Sequence, residues 1–214
     1  MSQSMTDGQQ MILQTSFGPI RYCDQGLHAG GPAVVFLQGF LAGPDAWSEV
    51  VATLAQRHRC ITVEWPFGAH GQPMRADADL SPPGVARLAI EVLDRLAVTR
   101  AVLVGNDSGG VIAQLVVAAQ PERLSGLVLV ACDAFECFPP GAYRYLFRMA
   151  TLPGVLRLVS WALSVPAFAR SRFGFGAVIA HDPDRARPWT IPFATDPGVR
   201  RDAAKLMKGS SKSQ

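Results

Sequence analysis

The chain has 214 residues, 49% of them apolar and only 17% charged, which suits one moderately large globular domain with a sizeable core. Its net charge of +3 is small and its arginines are scattered without interleaved aromatics, so the electrostatic footprint of a nucleic-acid binder is absent. Residues 1–7 lack the basic start and apolar run of a signal peptide, and no stretch offers the ~20 clean apolar residues of a membrane span, so a cytoplasmic protein without a membrane partner is expected. Cys23, Cys60, Cys132 and Cys137 have no metal-type pairing and read as reduced, packed thiols.

Taken in order, residues 11–16 and 19–23 alternate about Phe17-Gly18-Pro19, a hairpin signal. Ala33 to Leu37 is a continuous apolar run of the kind buried on both faces, and Gln38-Gly39-Phe40 ends it. Trp47, Val50, Val51 and Leu54 recur at helical spacing after Asp45, and Cys60 to Glu64 forms the next strand. That strand runs into Trp65-Pro66-Phe67-Gly68-Ala69-His70-Gly71, too rich in Pro and Gly to be regular. Ser81-Pro82 starts a helix, with Ser as N-cap and Val85, Leu88, Ala89, Val92 and Leu96 as its buried stripe.

Residues 101–112 are an apolar run, a glycine-bracketed turn and a new apolar pattern, which predicts a strand, a sharp turn and a helix. The turn is Gly105-x-Asp107-x-Gly109, in which small neighbours accommodate a side chain presented from a sparsely populated backbone region. The following helix is expected to bury Val111, Ile112, Leu115, Val116 and Ala119 and to stop near Pro121, before a buried strand at Leu127 to Val130. Strands alternating with helices imply βαβ units, a mostly parallel sheet and reactive loops at the carboxyl ends of the strands. From Pro139 onward the strand pattern gives way to Leu-, Phe- and Arg-rich segments that suggest several short helices. Lys205, Lys208 and Lys212 are the only lysines, so the last ten residues are compositionally foreign to the rest.

The hairpin, the strand ending in Gly39-Phe40, the strand ending in a Pro/Gly loop and the strand, elbow and helix about Asp107 together resemble the α/β-hydrolase fold. An aspartate in the elbow resembles the epoxide hydrolase and haloalkane dehalogenase branch. The expected class is therefore α/β, an α/β-hydrolase-like, mostly parallel sheet with its first six strands in residues 1–137, a helical cap segment in 138–205 and a disordered tail in 206–214. The resemblance covers residues 10–137 well and implies two further strands that this chain lacks, which would leave the sixth strand as an open edge suited to self-association.

What the resemblance implies for chemistry is attack by Asp107 on an sp³ carbon of a small apolar substrate, giving an alkyl-enzyme ester. The backbone N–H groups of Ser108 and Phe40 would be the oxyanion donors. Gln38 stands where the family has a histidine. Asp133, at the end of the sixth strand, is the candidate orienting acid, and no residue matches the family's catalytic histidine. Ser108 and Phe40 replace the halide-holding side chains of the dehalogenases, which favours an epoxide-hydrolase-like reading. Tyr143 and Tyr145 lie where a cap begins, but two residues apart on a helix they point about 200° from each other, so at most one could protonate an opening ring.

Gln38, Trp65, His70, Tyr143 and Tyr145 are candidate pocket residues, although His70 also reads as an ordinary hydrogen-bonded loop histidine and Trp65 as core. For Asp107 the competing role is a simple helix cap, and Ser108 is a weaker candidate nucleophile whose hydroxyl suits a cap. No cofactor and no metal are expected, since His28, His58 and His181 have no second ligand nearby. Two alternatives to the hydrolase stand beside it: a truncated relative that does not turn over, and an esterase or cofactor-free oxidoreductase on the same fold.

Overall fold

In the computed structural model the described residues are 9–26, 30–132, 145, 148–150, 152, 154–171, 174–177, 179 and 183–210. They form a six-stranded sheet of β1 (Met11–Thr15), β2 (Gly18–Gly26), β3 (Ala33–Leu37), β4 (Arg59–Val63), β5 (Ala101–Asn106) and β6 (Leu124–Val130), in the spatial order β1-β2-β4-β3-β5-β6. The β1–β2 hairpin and the β2–β4 pair are antiparallel, and β4, β3, β5 and β6 run parallel. The β2–β4 pair is pinned at one end by the Arg59 guanidinium on the Asp24 carboxylate, 2.7 Å apart and largely sheltered from solvent.

Helices α1 (Ser48–Leu54), α2 (Pro82–Arg95) and α3 (Ser108–Ala119) cover the two faces of the sheet. All five residues of β3 are buried, as a central strand covered on both faces requires. Ser81 caps α2 by accepting the Gly84 N–H at 3.3 Å, and Val85, Leu88, Ala89 and Val92 face the core. On α3 the buried face is Ile112, Ala113 and Val116, whereas Ala119, expected there, is exposed at the helix end.

Beyond the sheet lie the short helices α4 (Val155–Ser164), α5 (Pro166–Ala169) and α6 (Arg187–Thr195), then α7 (Pro197–Ser210). Leu41, from the loop after β3, packs with Leu156, Leu163, Phe193, Ala203 and Met207 in a second core that seats these helices on the sheet's carboxyl end. The tail expected to be unstructured from 206 is instead helical to Ser210. Leu206, Met207 and Ser210 are buried, and Leu206 joins the main core with Ile20 and Leu103. The reason is spacing: Val199, Ala203, Leu206 and Met207 fall on one helical face, and lysine stems extend along such a helix while their heads find oxygens. Lys205 does so, its Nζ donating to the Ala76 and Ala78 carbonyls.

β6 lies at one end of the sheet, with Val128, Leu129 and Val130 each 42–45% exposed. No helix among the described residues is long and apolar enough to cross a membrane. Among the described residues, Cys23, Cys60 and Cys132 are not joined in disulfides.

Candidate active site

The strand order reverses direction at β3: β4 lies on one side of it and β5 on the other. In an open parallel sheet that reversal leaves a crevice at the strands' carboxyl ends, because the loops leaving β3 and β5 turn to opposite faces. The two loops that flank the crevice are Gln38-Gly39-Phe40 after β3 and the Asp107 turn after β5.

Asp107 occupies φ 49°, ψ −125°, a region that side-chain-bearing residues rarely adopt and that costs on the order of 1–3 kcal/mol. The chain permits it because the bracketing positions carry no side chains. A Cβ on Gly105 would stand 2.6 Å from the Gly110 Cα, and one on Gly109 would overlap the Leu37 carbonyl oxygen. Although it stands at the N-cap position of α3, the Asp107 side chain accepts no capping bond. Its carboxylate turns instead toward the β3 loop.

There the Phe40 N–H donates to Asp107 Oδ2 at 3.0 Å, and the Ser108 hydroxyl donates to the same oxygen at 3.3 Å. Among the described residues no hydrogen bond reaches Oδ1. Gly39 makes this approach possible, since a Cβ at that position would lie 2.6 Å from Oδ2. The two carboxylate oxygens are therefore inequivalent: one is held by donors beside the helix N-terminus and the other is left available.

The donor loop is supported from beneath. Gln38, 2% exposed, donates through Nε2 to the Val63 carbonyl at 3.0 Å, and the Leu41 N–H donates to the Phe67 carbonyl at 2.9 Å. Gln38 thus ties the end of β3 to the end of β4 and is not a pocket wall; its Oε1 has no partner among the described residues. Ser108 is the first residue of α3, and its hydroxyl is spent on Asp107, not on capping the helix as expected.

Three other candidates are placed elsewhere. Trp65 is 1% exposed in the main core, its Nε1–H donating to the Phe36 carbonyl at 2.9 Å, so it belongs to the core and lines no pocket. His70 is also 1% exposed and has both ring nitrogens engaged: Nδ1 accepts the Gly68 N–H at 3.3 Å, which puts the proton on Nε2, facing Asp202 Oδ2 at 3.3 Å. It is a structural histidine with no nitrogen free to activate water. Tyr145 is 73% exposed and so does not line an enclosed pocket. Asp133 and Tyr143 lie outside the described residues.

The group around Asp202 was not singled out from the sequence. This carboxylate is fully buried on α7 and accepts the Met74 N–H at 2.7 Å and the Arg201 Nε and Nη2 at 3.0 and 2.8 Å, besides facing His70. Only the rarity of an aspartate on the apolar side of a helical pattern could have signalled it. A separate cavity of about 400 Å³ lies between Arg21, Glu64, Asp45 and Trp189 and does not include Asp107. No group of three metal-ligating side chains occurs among the described residues.

Among solved structures, an inferred epoxide hydrolase from Pseudomonas aeruginosa superposes with a TM-score of 0.78 at 18% identity, covering 96% of this chain and 71% of its own. The epoxide hydrolase CorEH gives a TM-score of 0.72 at 14% identity, with 95% and 75% covered. In sequence, a pimeloyl-[acyl-carrier protein] methyl ester esterase of Aeromonas salmonicida is 33% identical over 108 residues, which is 50% of this chain and 40% of the esterase. Haloalkane dehalogenase 2 of Mycobacterium bovis is 28% identical over 118 residues, 55% of this chain and 40% of the dehalogenase. An uncharacterized protein of Mycobacterium tuberculosis is 29% identical over 123 residues, 58% of this chain and 34% of that protein. The chain thus spans well under two thirds of the length of these curated relatives. A profile of the alpha/beta hydrolase fold family matches residues 32–170, more than half of the chain, and the chain belongs to that family.

Proposed function

We propose that this α/β hydrolase is of the aspartate-nucleophile type and reacts with small apolar epoxides through an alkyl-enzyme ester. The observation that carries this reading is the Phe40 N–H donating to Asp107 Oδ2 at 3.0 Å while Oδ1 has no partner among the described residues. Oδ1 attacks a ring carbon, the C–O bond of the epoxide breaks, and the alkoxide takes a proton from water or a cap donor. Oδ2 becomes the carbonyl oxygen of the ester and, on attack by water at Cγ, the oxyanion. Its donors are already in place for that charge.

The relatives and structural neighbours include epoxide hydrolases, a haloalkane dehalogenase and an esterase, so the family alone does not select among these chemistries. The elbow residue favours the epoxide branch over the esterase, because a carboxylate stands where an esterase needs an activated hydroxyl. Among the described histidines, His70 is fully engaged, and His58 precedes β4, at the amino end of the sheet and away from the crevice. The second half-reaction therefore has no base among the described residues, and the ester is expected to accumulate.

The test is incubation of the chain with a terminal epoxide such as styrene oxide, followed by peptide mass spectrometry. A stoichiometric adduct on the peptide containing Asp107, absent in Asp107→Asn, supports the reading. An adduct on Ser108, or none on either residue, refutes it.

A further inference from the structure

Helix α4 has two apolar faces where a surface helix normally has one. Leu156, Ser160 and Leu163 are buried on its inner side against the second core. Leu158 and Trp161, on the other side, are 64% and 65% exposed, and the stripe continues through Val165 at 36% and Phe168 at 38% as the chain enters α5. A tryptophan two-thirds in water, with a leucine one helical turn before it, is apolar surface that no described part of this molecule covers.

Charge identifies what could cover it. Residues 141–195 carry seven arginines against two aspartates. One of those aspartates, Asp184, is paired with Arg170 at 2.7 Å. Arg157, next to Leu158, is exposed and makes no ion pair with any described residue. An apolar, tryptophan-bearing stripe on a cationic segment is complementary to an anionic lipid interface, where Trp and Leu enter the headgroup boundary and long arginine side chains reach the phosphates. At ten residues the helix is far too short to span a bilayer, so the contact would be parallel to the surface.

We infer that the outer face of α4 and α5 docks this protein on anionic membrane surfaces through Leu158, Trp161, Val165 and Phe168, with Arg157 contributing charge.

Vesicle binding by the intact chain tests this, with phosphatidylcholine vesicles containing about 30 mol% phosphatidylserine compared with pure phosphatidylcholine. Trp47, Trp65 and Trp189 are at most 9% exposed, so a change in emission reports on Trp161. The expected result is co-sedimentation with the anionic vesicles and a blue shift of the emission, both reduced at about 0.5 M salt. Leu158→Ser/Trp161→Ser should weaken co-sedimentation at least about tenfold, and Arg157→Glu should weaken it less. Circular dichroism must show the double variant folded; if it is not, Leu158→Gln alone serves the same comparison. Absence of binding to the anionic vesicles, binding unchanged in the variants, or a solution dimer lost in Trp161→Ser without lipid binding would each overturn the proposal.

Discussion

Replacement of Asp202 gives the sharpest test of how the C-terminal helix is held. Its carboxylate is 0% exposed and accepts four hydrogen-bonding contacts, from the Met74 N–H, His70 Nε2 and two Arg201 nitrogens. In Asp202→Ala the Met74 N–H is left buried without a partner, at about 1–3 kcal/mol. The His70 N–H loses its longer bond, at about 1 kcal/mol. Arg201 is 37% exposed, so its share is screened and is at most about 1 kcal/mol. The sum, about 2–5 kcal/mol, overlaps the usual cost of removing one member of a buried charged group, about 3–5 kcal/mol. For a chain of this size it lowers Tm by roughly 4–20 °C. Asp202→Asn keeps an acceptor for Met74 and should cost about half as much. Thermal unfolding followed by circular dichroism measures both, and hydrogen exchange should show the Met74 amide and α7 losing protection together. If Asp202→Ala costs less than about 1 kcal/mol, the buried carboxylate is not what holds α7, and the reasoning fails.

Three smaller predictions concern other parts of the molecule. Ser81→Ala removes the cap on α2 and should cost about 1 kcal/mol in urea unfolding, with the m-value unchanged. Gly39→Ala places a methyl against Asp107 Oδ2 and should slow adduct formation with an epoxide on the order of 100-fold while the chain stays folded, as read by the rate of mass change. Burial and then the nearby Asp24 carboxylate push the Cys60 thiol up to about 11 from 9.0. Its pKa is raised in the folded state, so the stability it contributes is complete below pH 9 and is lost as pH rises toward 11, where the unfolded chain ionises first. Melting curves between pH 8 and 11 should fall more steeply for the parent than for Cys60→Ala.

The six strands and their order of appearance were legible because each carries its own local signal: β3 an unbroken apolar run, β1 and β2 an alternation around Gly18-Pro19, and β5 the glycine-bracketed turn that follows it. The elbow was legible for the same reason, since Gly105 and Gly109 are demanded by backbone geometry within five residues. What was not legible depends on contacts distant in sequence. Trp65 and His70 share one loop and look like site residues in isolation, but their partners Phe36 and Asp202 lie 29 and 132 residues away. Gln38 reads as part of the site from its neighbours, yet its bond to Val63 makes it a tie between two strand ends. The lysines of the last ten residues obscured the apolar spacing of Val199, Ala203, Leu206 and Met207, which by itself predicts a packed helix.

Leu206 shares one core with Ile20, and the Met74 amide bonds a carboxylate 128 residues further along the chain. A polypeptide made from its amino end therefore exposes an unfinished core until α7 has left the ribosome. At about 5–20 residues per second the interval between the emergence of Met74 and that of Asp202 is on the order of 10 seconds, long compared with hydrophobic collapse. Throughout it the main core lacks Leu206 and the Met74 amide lacks its acceptor, and the protein's encounters with chaperones should concentrate in that window.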